Sequence, residues 1–174
     1  TQDDLLRGVY LGFDEQNVYL RVDLREGMRA TDLLGRGFRL HVYATTPGEE
    51  GGAAFPEGSR ASLGFPLQQR ITLDLDQVRD GEAVLVRYAY RDGAWVLATS
   101  PADLRGRRAY VGEVVEMRLP YTTLKAGPGD TLRLAVVHAP WRRKHLQPGV
   151  LQPVGVLELV HQHVAKAPLV VLAQ

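Results

Sequence analysis

The sequence predicts an all-β protein, an antiparallel β-sandwich of the jelly-roll kind with about nine or ten strands. Three observations predict it. Apolar and polar residues alternate with period two through most of the chain, and no segment keeps a 3.6-residue period for three turns. Clusters of Gly, Pro, Asn and Asp punctuate the alternating runs at short intervals. The 174 residues, 45% of them hydrophobic, suffice to bury a core in a single domain spanning 1–174.

The elements follow in order. In VYLGFDEQNVYLRVDL, residues 9–24, two strands flank the turn Asp14-Glu15-Gln16-Asn17, and Asn17 suits a left-handed conformation there. Val18, Leu20, Val22 and Leu24 point one way, while Tyr19, Arg21 and Asp23 point the other. Phe38, Leu40, Val42 and Ala44 alternate in the same manner with Arg39, His41 and Tyr43. Residues 46–69 are rich in Gly and Pro without periodicity and read as a long loop of the kind that often carries function. A strand follows at 70–75.

Residues 83–99, AVLVRYAYRDGAWVLAT, form a hairpin around Asp92-Gly93, a pair suited to a type I′ turn. That register pairs Arg91 with Ala94 and Tyr90 with Trp95, and places Val84, Val86, Tyr88, Tyr90, Trp95 and Leu97 on one face, with Trp95 in the core. Strands at 113–119 and 131–138 come next. Pro120 stops the first, and Gly127-Pro128-Gly129-Asp130 launches the second. A loop containing Trp141 leads to a strand near 154–161, and residues 169–172 close the chain.

Composition narrows the partners. A net charge of +1 supplies no field to gather nucleic acid or an anionic membrane, so neither is expected as a partner. The absence of cysteine excludes a disulfide framework and a thiolate metal site. No apolar run approaches the length of a membrane span. A start at Thr1 fits a processed protein or a domain cut from a longer one. No G-x-S-x-G, Walker or dinucleotide-binding glycine pattern is present, and no catalytic residue is assigned.

The strand pattern resembles a known group. VYLGFDEQNVYLRVDL is similar to the segment opening the C-terminal β-sandwich of family 57 glycoside hydrolases and related glucodextranase-type enzymes. VVEMRLPYTTLKAGPGDTLRLAVVHA resembles that domain's later signature, and VGVLELVHQ its last core strand. The match runs over about residues 7–161, and the wider group includes family 9 carbohydrate-binding modules and DOMON domains. Gly12, Phe13, Asp14, Tyr19, Pro120, Gly129 and Asp130 match scaffold positions. The resemblance implies a non-catalytic accessory domain, because in those hydrolases a separate upstream barrel carries the catalytic carboxylates. Family 9 modules clamp a sugar between two tryptophans. Trp95 and Trp141 are the two of this chain, and the matched motifs carry over neither. Some DOMON domains ligate haem through Met with His or Lys. Here Met28 and Met117 are the methionines, and Met117 shares a face with Val115 and Leu119, which reads as core.

Several constellations are candidate sites. Trp141, with Arg142, Arg143, Lys144 and His145, sets an aromatic platform among hydrogen-bond donors, as sugar recognition requires. A loop anchored by one tryptophan is the more ordinary reading. Tyr19, Arg21, Asp23, Arg39, His41 and Tyr43 form an outward aromatic and polar set that could bind a glycan, although it fits a docking surface for another domain better. His161 and His163 lie on one strand face without a third ligand, so no metal is assigned there. Asp74 and Asp76 could join a structural calcium site, against a favoured reading as a solvated pair. No other cofactor is expected.

The expected function is thus an accessory domain that holds an α-glucan or other carbohydrate, or docks on the catalytic domain of the same or a partner protein. The alternatives are a structural or protein-interaction sandwich without a sugar ligand and, least favoured, a metal-dependent hydrolase at the His pair.

Overall fold

Two antiparallel sheets pack face to face in a computed structural model that describes residues 5–59, 62–98 and 108–139, and the backbone of 152–160. In chain order the strands are β1 (Leu6–Phe13), β2 (Asn17–Leu24), β3 (Arg39–Ala44), β4 (Gln69–Asp74), β5 (Glu82–Val84), β6 (Val86–Arg91), β7 (Ala94–Leu97), β8 (Arg108–Val111), β9 (Val115–Pro120), β10 (Thr131–Ala139) and β11 (Gln152–Val160). A one-turn helix, α1 (Tyr121–Leu124), follows β9. One sheet runs β1-β2-β9-β8-β5 and the other β11-β10-β3-β4-β6-β7. The chain is therefore an all-β sandwich, as its alternation predicts.

The alternating apolar residues meet between the sheets. Val18, Leu20 and Val22 of β2 and Val115, Met117 and Leu119 of β9 face Leu40 and Val42 of β3, Ile71 and Leu73 of β4, and Leu134 and Val136 of β10. Each such side chain stabilises the fold by roughly 1.5–3 kcal/mol relative to leaving it in water. Met117 is core, as its face predicts, and Met28 packs at the core's margin.

Turn chemistry sets the registers. Asp92 (φ 50°) and Gly93 (φ 83°) are both left-handed, as a type I′ turn requires, and Arg91 pairs with Ala94 and Tyr90 with Trp95. The first hairpin turns differently from expectation. Asn17 is not left-handed, because the Asp14 carboxylate closes the turn by accepting the amides of Gln16 and Asn17, both at 2.7 Å. Before β10, the Gly127 amide donates to Asp130 Oδ2 at 2.6 Å.

One expectation needs correction, and two features lie beyond what the alternation shows. Among the described residues eleven strands stand close to the nine or ten expected, residues 108–111 form one that the alternation did not single out, and the run 82–91 is divided between the two sheets. That division is at Leu85, which is fully buried. Val84 thus belongs to β5 in the five-stranded sheet and leaves the expected face, whereas Val86, Tyr88 and Tyr90 on β6 keep theirs with Trp95 and Leu97 of β7.

Residues 46–59 and 62–68 carry no strand or helix, as a long loop should, yet they are tied to the sandwich. The flanks of this loop cover part of the outer face of the six-stranded sheet. Ala53 and Leu67 exchange backbone hydrogen bonds at 2.9 and 3.0 Å, and Gly52 approaches so closely that a Cβ would stand 2.9 Å from the Leu67 carbonyl oxygen. Gln68 ties the strap down by accepting from the Thr46 amide and donating to the carbonyls of Glu49 and Gly51. Beneath it, Ala53, Phe65, Leu67, Tyr43, Ala135 and Val137 form a second, smaller core. Residues 169–172 lie outside the described residues.

Candidate functional site: a tyrosine-walled groove

The outer face of the five-stranded sheet has no such cover among the described residues. Its strand order and registers line up side chains in cross-strand rows: Tyr10 on β1, Arg21 on β2, Glu116 on β9 and Tyr110 on β8 make one, and Gly12, Tyr19 and Arg118 make the next. Adjacent strands lie about 4.8 Å apart, so Tyr10 and Tyr110, separated by three steps, bracket a row roughly 14 Å long. Together with Asp23 these residues enclose a concavity of about 600 Å³, within the range of roughly 300–1,000 Å³ common for ligand sites.

Hydrogen bonds preset several of these side chains. The Arg21 guanidinium binds Asp23 in two-pronged fashion, with Nε at 2.7 Å from Oδ1 and Nη2 at 3.2 Å from Oδ2. It also sits 5.7 Å from the centre of the Tyr10 ring. The Tyr19 hydroxyl donates to Asp14 Oδ2 at 2.7 Å, while Asn17 Nδ2 donates to the Tyr19 oxygen at 3.4 Å. That hydroxyl, with help from the Gln16 amide, holds the Asp14 carboxyl below its usual range, and Asp14 in turn pushes the Tyr19 phenol up. Asp14 thus closes the hairpin with one oxygen and anchors a groove tyrosine with the other. Tyr19 and Tyr110 remain well exposed, at 39% and 48%.

Chemically, the groove offers aromatic rings, fixed hydrogen-bonding groups and balanced charge: Arg21 and Arg118 against Asp23 and Glu116. Rings and polar groups in this mixture suit a ligand with apolar faces and hydroxyl edges. Acid–base cleavage of a glycosidic bond would need two carboxylates suitably placed. In this groove Asp23 is already committed to Arg21.

The sequence-derived candidates are distributed unevenly. Tyr19, Arg21 and Asp23 belong to the groove. His41 and Tyr43 do not: they are on β3, in the other sheet, and are buried to 9% and 0% exposure, Tyr43 beneath the strap. Taking the two strand faces as one surface was therefore wrong, since they look out from opposite sides of the sandwich. Tyr43 Oη accepts the Glu57 amide at 3.2 Å, and burial pushes its phenol up to about 12. Burial, reinforced by Arg70, depresses His41 to about 3, and its Nδ1 shares a hydrogen bond with Thr72 Oγ1 at 2.9 Å. Arg70 pairs with Glu57 and stacks on Tyr88, 4.1 Å from the ring centre.

Trp95 is a member of this second core rather than the main one. It is half-buried, with edge-on contacts to Tyr43 and Tyr90 at 5.4 and 5.3 Å between ring centres. Asp74 and Asp76 act as local fasteners: Asp74 binds Arg39 and the Asp76 amide, and Asp76 accepts the Gly37 amide. Among the described residues no group of three His, Asp or Glu gathers as a metal site would. Trp141, Arg142, Arg143, Lys144, His145, His161 and His163 lie outside the described residues.

Sequence reasoning missed Tyr10, Gly12, Tyr110, Glu116 and Arg118 as site residues. Tyr10 was legible, because it has the parity of Gly12 and Gly8 across the first hairpin. Glu116 and Arg118 alternate with Val115, Met117 and Leu119, and that period placed them outward. What no local pattern states is that β9 lies beside β2.

Fold and site together define an all-β sandwich that carries a tyrosine-walled groove across one sheet. No family model matches the chain, and neither does any curated protein or solved structure.

Proposed function

We propose that this chain is a non-catalytic carbohydrate-binding module, of the accessory kind found with α-glucan-processing enzymes, and that it holds a neutral sugar chain in the groove of its five-stranded sheet. One observation carries the reading: Tyr10, Tyr19 and Tyr110 surround a concavity whose polar side chains are charge-balanced and in part already fixed. Tyrosine rings can stack on the apolar faces of pyranoses while Arg21, Glu116 and Arg118 meet hydroxyl groups. The link to α-glucans rests on the resemblance of the hairpin and of the L-x-x-G-P-G-D region to family 57 accessory sandwiches.

The test is calorimetric titration with maltoheptaose, alongside cellohexaose to probe the linkage. Binding is expected in the micromolar to millimolar range, about 4–8 kcal/mol, with Tyr10→Ala and Tyr110→Ala each weakening it and leaving the melting temperature nearly unchanged. If the wild type gives no heat with either sugar at millimolar concentration, the groove is instead a docking face for another protein domain.

A further inference from the structure

β1 presents Gly8, Tyr10 and Gly12 in succession to the groove side, opposite Asp23, Arg21 and Tyr19. The two glycines flank the same tyrosine yet differ in why they are there. A Cβ on Gly8 would meet the Tyr10 ring at 3.2–3.3 Å, so that ring lies over the bare backbone. A Cβ on Gly12 would meet just the Tyr19 Cβ, at 3.9 Å, which is ordinary contact. The Tyr19 ring does not fold over it, because its hydroxyl is bound to Asp14.

Nor does the backbone ask for glycine at this position, since Gly12 is not among the residues of positive φ. Glycine inside a strand is nonetheless destabilising relative to alanine. Close approach of a ligand or of another backbone is one of the reasons a strand carries such a residue, and the pairing of β1 with β2 has no bulge at this position. Gly12 lines the concavity, and β1 is the edge strand of its sheet among the described residues. The open backbone thus leaves a gap in the groove wall between Tyr10 and Tyr19.

Resting on the carbohydrate reading above, we infer that Gly12 is the point where the ligand chain crosses the sheet edge. The groove then takes an internal stretch of a neutral oligosaccharide, which runs out over β1, rather than a chain end held in a closed pocket. Gly12 is a specificity-determining residue, and its missing side chain is the opening.

The experiment combines maltoheptaose titration with thermal melts for wild type, Gly12→Ala and Gly12→Val. Gly12→Val is expected to weaken binding about tenfold or more, equivalent to ~1.4 kcal/mol, and Gly12→Ala to weaken it less. Both variants should melt close to or above the wild-type temperature, since an added Cβ meets no close neighbour in the fold. Should Gly12→Val bind as tightly as a binding wild type, the crossing point is wrong and the groove reading survives. A marked fall in melting temperature in both variants would show that the fold itself requires the glycine. A wild type that binds no maltoheptaose removes the crossing point together with the reading beneath it.

Discussion

The outer faces of the two sheets begin from nearly the same sequence pattern and end differently. On β2 the outward residues are Tyr19, Arg21 and Asp23, and on β3 they are Arg39, His41 and Tyr43: an aromatic, a cation and a further polar group in each set. The first set borders an open groove. The second is partly roofed by the strap flanks, residues 46–59 and 62–68, so that Tyr43 becomes core, and His41 beside it is buried as well. Alternation tells which side chains point away from the main core. It does not tell whether a further layer covers them.

Substitution can break this comparison most directly at Tyr43. Tyr43→Ala removes a fully buried ring, its edge-on contact with Trp95 and the acceptor for the Glu57 amide. It should cost about 3–5 kcal/mol, the range for aromatic-to-alanine changes in cores, as read from urea denaturation. A loss under about 1 kcal/mol would mean that the strap is no true core layer.

Acid sharpens the same contrast. The folded value of His41 lies below its ordinary 6.5, at about 3, so between those limits the unfolded chain holds the extra proton. Stability present at neutral pH is therefore lost as pH falls through that window, by up to ~1.4 kcal/mol per pH unit from this one group. Arg70 and Arg39 reinforce the depression and Asp74 opposes it. Urea melts between pH 6.5 and 4.5 should show a shallower pH dependence in His41→Gln than in wild type. Equal slopes would place His41 in contact with water.

The smallest effect belongs to the groove. Tyr19→Ala loses an exposed ring and its bond to Asp14, and should cost less than about 1 kcal/mol by the same melts. A loss as large as that of Tyr43→Ala would erase the difference between the two faces.

Much of the architecture was legible for physical reasons that operate locally. The Asp92-Gly93 turn dictated its register because both residues tolerate positive φ, and β2, β3 and β9 announced their buried faces by strict alternation. The sheet change at Leu85 was hidden, since an unbroken apolar-rich run looks the same whether it stays in one sheet or passes to another. The strap left a faint trace: Phe65, Leu67 and Ala53 are apolar residues in a Gly- and Pro-rich stretch, too sparse to show a period. The part of the candidate site that β2 contributes was legible. Tyr19, Arg21 and Asp23 follow from β2 alone, whereas Glu116, Arg118 and Tyr110 join them through pairings between strands far apart in the chain.

Those distant pairings have a kinetic consequence. Arg21 is beside Glu116, and His41 beside Val137, so both sheets are stitched together from opposite ends of the chain. Closing such long stretches costs entropy before any contact repays it, which puts folding in the slow range of all-β domains, about milliseconds to seconds. The first hairpin pairs early by its short turn, but it brings just one side of the groove. A nascent chain can complete the groove only after β9 has emerged and docked on β2, so this concavity takes shape well after its first two strands have been made.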